Sequence, residues 1–325
     1  MIDIEKTQTI DRILKNVEKV VIGKRKTILK ILAALFAKGH ILLEDVPGVG
    51  KTLMVKALAK SIGGTFRRVQ FTPDLLPTDI LGLSIYNQKT MEFEFRPGPI
   101  VTHILLADEI NRTSPKTQSA LLEAMGERAI TVDGKTYTLE KPFLVMATQN
   151  PVEYEGTFVL PEAQMDRFMI KINLGYPDRE SELVILDRIN EVQEASSLQT
   201  VCTIQDIVEI QEVVSQVYVD DVVKAYIVDL CRKTREHEQI LLGVSPRGSV
   251  SLYRAVQAWA FLNGRDYVTP DDVKEMIHDV LNHRILLTPD AKIEGLEAKE
   301  VIAGIVREVA VPITAGFVPE KRRSF

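Results

Sequence analysis

The run Pro47-Gly48-Val49-Gly50-Lys51-Thr52 has the residue types needed to hold a phosphate group. Glycines let the backbone turn sharply, so that successive N–H groups can face one anion. A helix starting near Lys51 would add its positive end. In loops of this kind the lysine reaches the β- and γ-phosphates and the next hydroxyl ligates magnesium. Lys51 and Thr52 are therefore the first candidates. Downstream, Ile104-Leu105-Leu106-Ala107 ends abruptly in Asp108-Glu109. Asp108 is expected to hold magnesium through its water shell, and Glu109 to polarise an attacking water. Asn150 closes a further apolar run from Phe143 and could orient a water without competing for a metal.

Two arginines complete the set. Arg247 follows Ser245-Pro246, a plausible N-cap and first helical residue. A cation there is unfavourable by about 0.3–1 kcal/mol at an exposed helix N-terminus, and a phosphate group would offset that cost. Arg167, in Gln164-Met165-Asp166-Arg167-Phe168, precedes the last strand of the core. By itself it could simply pair with Asp166.

The elements that must position these residues follow from periodicity. Apolar spacing over Gln8 to Ala37 predicts two helices broken near Val21-Ile22-Gly23. His40-Ile41-Leu42-Leu43-Glu44, followed by Pro and Gly, is too short for a helix and reads as a buried strand. Leu53 to Ile62 returns to helical spacing and stops at Gly63-Gly64. Further strands are expected at Phe66 to Phe71, Ile104 to Ala107, Phe143 to Ala147 and Met169 to Leu174, with a helix from Pro115 to Glu127. Strands alternating with helices predict a parallel sheet covered on both faces. Two hairpins interrupt it: Ser84–Asn87 against Glu92–Phe95, and Ala129–Val132 against Thr136–Leu139 around Asp133-Gly134.

After Tyr176-Pro177-Asp178 the strand signals stop. Helices are expected at Glu180 to Asn190, Ile204 to Val217, Asp220 to Thr234, Pro246 to Leu262 and Pro270 to Arg284. The division is expected there: an α/β domain over residues 1–178 and a helical domain over 179–325. A length of 325 residues suits two domains.

Composition excludes little but narrows the partners. Hydrophobic residues make up 45% and charged residues 26%, ordinary for a globular chain. A formal net charge of −5 gives no electrostatic footprint for nucleic acid, so none is expected as a partner. Cys202 and Cys231 lack metal-ligand spacing and read as reduced thiols. The N-terminus lacks the apolar centre of a signal peptide, and the run Ile31 to Ala37 is too short to span a bilayer. A cytoplasmic location is expected.

The order PGVGKT, LLADE, ATQNP, DRF and SPR resembles the AAA+ ATPases, and within them the MoxR family. The phrases Leu43-Glu44-Asp45-Val46-Pro47, Asp79-Ile80-Leu81-Gly82, Arg96-Pro97-Gly98-Pro99, Asp108-Glu109-Ile110-Asn111-Arg112 and Ser245-Pro246-Arg247 carry the likeness. Asp45, where the general phosphate loop has glycine, agrees with that family. The resemblance implies a P-loop NTPase core with a β-hairpin inserted in its second helix, followed by an all-helical lid. It also implies ATP and Mg2+ as ligands, ADP as product, and a homo-oligomeric ring, commonly a hexamer, with ATP between subunits. The nucleotide would lie on Pro47, Gly48, Val49, Gly50, Lys51, Thr52 and Leu53, with Val21, Ile22 and Gly23 lining the adenine pocket. Thr52 and Asp108 would hold the metal. By the same likeness Asn150 is the sensor 1 residue, Arg247 the sensor 2 residue of the lid, and Arg167 the finger reaching a neighbour's nucleotide. Arg112 is a second candidate for that contact.

The implied activity is ATP hydrolysis driving chaperone-like maturation of a protein client, which could carry a von Willebrand factor A domain. Two other readings share the hairpin: the ATPase subunit of a metal chelatase, and a nucleic-acid motor. A non-hydrolysing nucleotide switch is opposed by Glu109 and Arg167.

Overall fold

The structure is a computed structural model and describes residues 4–44, 48–149, 158–187 and 195–312. Its centre is a parallel five-stranded sheet formed by β1 (Ile41–Glu44), β2 (Phe66–Gln70), β5 (Ile104–Asp108), β8 (Leu144–Gln149) and β9 (Ile170–Ile172), in the order β2-β5-β8-β1-β9. These strands read as apolar runs because both faces are covered. On β1, β5 and β8 alternate residues feed two separate cores. Ile41, Leu43, Ile104, Leu106, Leu144 and Met146 enter one, and Leu42, Leu105, Ala107, Val145 and Ala147 the other. A strand's side chains alternate between faces, so one short run can anchor both layers.

Helices α1 (Ile4–Glu18) and α2 (Arg25–Phe36) meet at the expected break, where Gly23 adopts φ +71°. Helix α3 (Lys51–Ser61) follows the phosphate loop. A short α4 (Pro77–Leu81) leads into the first hairpin, β3 (Gly82–Asn87) with β4 (Glu92–Pro97). Helix α5 (Pro115–Glu127) is capped by the Ser114 hydroxyl and precedes the second hairpin, β6 (Ala129–Val132) with β7 (Lys135–Thr138). Asp133 and Gly134 both have positive φ, as a two-residue hairpin turn with the right twist requires. A single turn, α6 (Glu162–Met165), leads to β9.

The remainder is largely helical: α7 (Arg179–Asp187), α8 (Ile204–Val214), α9 (Asp221–Glu236), α10 (Pro246–Leu262), α11 (Pro270–Leu281), α12 (Pro289–Ile293) and α13 (Ala298–Glu308). One expectation is corrected. Strand signals do not stop at residue 178, because β10 (Ile240–Leu242) pairs antiparallel with β11 (Leu286–Leu287). Three- and two-residue strands are too short to register as periodic patterns. Helix α8 also ends at Val214 and α11 at Leu281, both earlier than expected.

Polar side chains bind the helical part to the sheet layer. Asp166, just before β9, accepts from Arg284 Nε at 2.7 Å and from the Ser245 hydroxyl at 2.8 Å. The Arg284 side chain is only 1% exposed, and its guanidinium also donates to the Phe168 and Met169 carbonyls. Gln211 of α8 donates to the Leu35 carbonyl at 2.7 Å, and Lys30 of α2 pairs with Asp279 of α11.

Candidate active site

Strand β8 lies between β1 and β5, so the phosphate loop after β1 and the acid pair after β5 leave the same edge of the sheet with one strand between them. In open parallel sheets ligands bind at these carboxyl ends. A cavity of about 350 Å³ opens there, bounded by Gly48, Gly50, Lys51, Thr52 and Leu53 on one side. Arg68, Gln70, Asp108, Glu109 and Thr148 bound the other.

The loop has the backbone its glycines predict. Gly48 and Gly50 adopt φ +90° and +87°, and Gly50 is the N-cap of α3. A Cβ at either would meet nothing within 4 Å, so conformation and not crowding calls for glycine. Helix α3 thus begins at Lys51 and Thr52, with its first N–H groups at the cavity.

Asp108 ends β5 and is 6% exposed. Its Oδ2 accepts from Arg68 Nε at 2.5 Å, and its Oδ1 from the Thr148 hydroxyl at 3.2 Å. Thr148 Oγ1 also accepts the Glu109 backbone N–H at 2.8 Å. Glu109 takes a left-handed conformation, φ +59° and ψ +49°. For a residue other than glycine this costs about 1–3 kcal/mol and persists where surroundings enforce it. Its carboxylate accepts from Gln70 Nε2 at 2.6 Å and pairs with Arg112 Nε at 3.1 Å. The two acids therefore have different partners, as their different positions on the chain suggest.

Arg68, Gln70 and Thr148 are the residues that motif reading missed. Arg68 and Gln70 share one face of β2, and Gln70 is level with Asp108 across the β2–β5 pair. The signal lay in Arg68 and Gln70 flanking the buried Val69, but its meaning depends on β2 being the neighbour of β5.

Other candidates lie apart from this cavity. Arg167 does not pair with Asp166: its Nη1 donates to the Leu122 carbonyl at 2.8 Å and packs on Gly126, where a Cβ would come within 2.3 Å. Arg247 is exposed in the first turn of α10, which Ser245 caps through the Gly248 N–H. Val21, Ile22 and Gly23 form the α1–α2 bend, with Gly23 tight against Ser181 of α7. None of these lines the cavity. Val49 packs beside the core next to α3. Pro47, Asp45 and Asn150 lie outside the described residues.

The donor set fits a hard divalent cation. The Thr52 hydroxyl and the Asp108 carboxylate are oxygen donors bounding one cavity, the chemistry magnesium prefers. Among the described residues no group of three or more His, Cys, Asp or Glu is placed to hold a metal by itself. Such a site suits a cation that keeps waters and substrate oxygens as ligands. Both cysteines are free and buried, and burial raises the Cys202 thiol to about 12, which makes it a poor nucleophile. Among the described residues no helix is long and apolar enough to cross a membrane.

Comparisons with known proteins agree with this geometry. Residues 40–170 match the model of the ATPase family associated with various cellular activities (AAA), and residues 232–305 match the AAA lid domain. YeaC, an uncharacterized protein of Bacillus subtilis, is 55% identical over 94% of this chain and 95% of its own. Chaperone MoxR1 of Mycobacterium tuberculosis is 44% identical, covering 97% of this chain and 85% of that protein. A solved structure from Cytophaga hutchinsonii, 44% identical, superposes with a TM-score of 0.89 over 95% of this chain and 96% of that one. With an AAA+ α/β core, a helical lid and relatives of this closeness, the chain belongs to the MoxR family of AAA+ ATPases.

Proposed function

We infer that the chain binds ATP with magnesium at the Gly48–Thr52 loop, hydrolyses it to ADP, and uses the cycle to remodel or mature a protein client. One observation carries the chemistry: a single cavity brings the N-terminus of α3, with Lys51 and Thr52, opposite Asp108 and Glu109. Lys51 and the α3 amides would neutralise the β- and γ-phosphates, and Gly48 and Gly50 allow the backbone to approach them. Thr52 and Asp108 would hold magnesium, which supplies charge stabilisation on the phosphate oxygens. Glu109, aimed by Gln70 and Arg112, would polarise the attacking water. Asn150 would orient that water. Val21, Ile22, Gly23 and Leu53 would flank the base and sugar side.

Arg247 lies on the lid and Arg167 on the α6–β9 connection, both away from the cavity. These positions suit groups that arrive from a moving lid or an adjacent subunit. Arg112 is ion-paired with Glu109 of its own chain, whereas Arg167 donates to a neutral carbonyl and holds no carboxylate among the described residues, which favours Arg167 as the group offered to a neighbour. We therefore propose a homo-oligomeric ring, a hexamer by family analogy, whose sites are completed between subunits. We place the division between core and lid near residue 178, and the working location in the cytoplasm. The resemblance to chaperone relatives favours a protein client over a chelatase or a nucleic-acid role.

ATP turnover per chain, measured against protein concentration with magnesium, tests the shared site. The expected result is turnover that rises with concentration and then levels off as sites are completed. A monomer that hydrolyses at the full rate at every concentration would end the ring model.

A further inference from the structure

A second charged cavity lies at the other end of the sheet. Lys38 stands between α2 and the start of β1, whereas the phosphate loop leaves the far end of the same strand. Arg128, the C-cap of α5, donates from Nη2 to the Lys38 carbonyl at 2.8 Å. Arg254, on α10, faces the same space. With Phe36, Tyr253 and Gln257 they line a cavity of about 280 Å³.

The three cations are not neutralised by the fold. Among the described residues none of them makes an ion pair, whereas Lys30, Arg265 and Arg284 each hold a carboxylate. Glu212 acts on Lys38 only from a distance. Burial first, then the neighbouring cations, push the Lys38 ammonium below its usual value. Burial and Arg254 do the same to Arg128. Both residues also hold left-handed backbone, with φ +58° and +51°.

A structural role for the charges would be to cap the C-termini of α2, α5 and α8, which end here. Carbonyls at or just past each of these ends already have other donors, His40 serving Met125 of α5. Gln211 serves Leu35, and Gln257 serves Ser215 and Val217. Only one donor of Arg128 is used in this way, on the Lys38 carbonyl, so most of the cationic donor set remains for an anion.

We propose that this cavity is a binding site for a small, multiply charged phosphate-bearing molecule, distinct from the nucleotide site. The arginine forks match phosphate oxygens and the lysine adds a point charge. A volume of about 280 Å³ is at the low end for ligand pockets, which fits a diphosphate-sized group better than a polypeptide segment. Lys38 and Arg128 come from the core, and Arg254 from the lid helix that begins beside Arg247. A bound anion would therefore join core to lid.

The test is calorimetric titration of inorganic pyrophosphate into the full chain already saturated with ADP, so that the phosphate loop is filled. The expected result is one further site per chain, weakened at least tenfold by Arg254→Met and by Lys38→Met, and weakened by added salt. Arg254 is exposed and makes no ion pair among the described residues, so Arg254→Met is expected to stay folded, checked by an unchanged thermal transition. No binding beyond ADP, or binding that both substitutions leave unchanged, would overturn the proposal.

Discussion

Arg68 Nε lies 2.5 Å from Oδ2 of Asp108, so the carboxylate expected to hold magnesium is paired with a guanidinium from the neighbouring strand. The arginine side chain is 49% exposed and the aspartate side chain 9%. The guanidinium therefore has solvent on one side, whereas the Asp108 carboxylate is enclosed by the strands around it. A cation approaching Asp108 competes with Arg68 for the same oxygen.

Arg68→Ala is therefore expected to lower the magnesium concentration giving half-maximal ATP turnover. The change should be about twofold to fivefold, since a partly exposed pair is worth up to about 1 kcal/mol. Magnesium titrations of both proteins check this. A higher half-saturation in the variant would mean that Arg68 serves the phosphates more than it opposes the metal.

Asp166 joins the loop carrying Arg167 to the lid through Arg284 and Ser245. Asp166→Asn leaves the buried Arg284 charge without its counter-ion. Removing one partner of a buried pair costs about 3–5 kcal/mol, and the Phe168 and Met169 carbonyls that still accept from Arg284 place the expectation at the lower end. Urea unfolding of the variant measures the loss. Because the pair joins two parts of the chain, ATP turnover should fall even where the variant remains folded.

His40 links three elements of the core. Its Nε2 donates to the Met125 carbonyl at 3.1 Å, and its Nδ1 accepts the Val145 N–H at 3.0 Å, so the neutral ring is the form that fits. Burial pushes its pKa down from 6.5 to about 4. The unfolded chain therefore binds a proton between those values that the folded chain does not. Stability from this residue is full above about pH 6.5 and declines toward pH 4, by about 3 kcal/mol in all. Unfolding free energies of the protein and of His40→Gln across this range should differ in slope. Parallel curves would contradict the account.

Much of this was legible because the signals are local. The glycines of the phosphate loop are required by positive φ at Gly48 and Gly50, and a Gly-rich run before a helix announces that need. The buried strands announce themselves because Ile104 to Ala107 must fill two cores at once. What stayed hidden depends on strand order and tertiary placement. Arg68 acquires a role only because β2 flanks β5. Arg167 could have paired with its neighbour Asp166, but Arg284, far along the chain, takes that carboxylate and Arg167 turns to the Leu122 carbonyl. The β10–β11 ladder is too short for any alternation to show.

The central claim is that Glu109 drives hydrolysis at the Lys51–Thr52–Asp108 cavity, and Glu109→Gln tests it most directly. The amide keeps the shape and a hydrogen-bonding group but loses the charge that polarises water. ATP binding and steady-state turnover should be measured on the same preparations with magnesium. The account predicts that ATP binding is kept while turnover falls by about 10²–10⁴, the range for loss of a general base. Equal turnover in the two proteins would contradict the assignment of Glu109 and, with it, the mechanism proposed for this site.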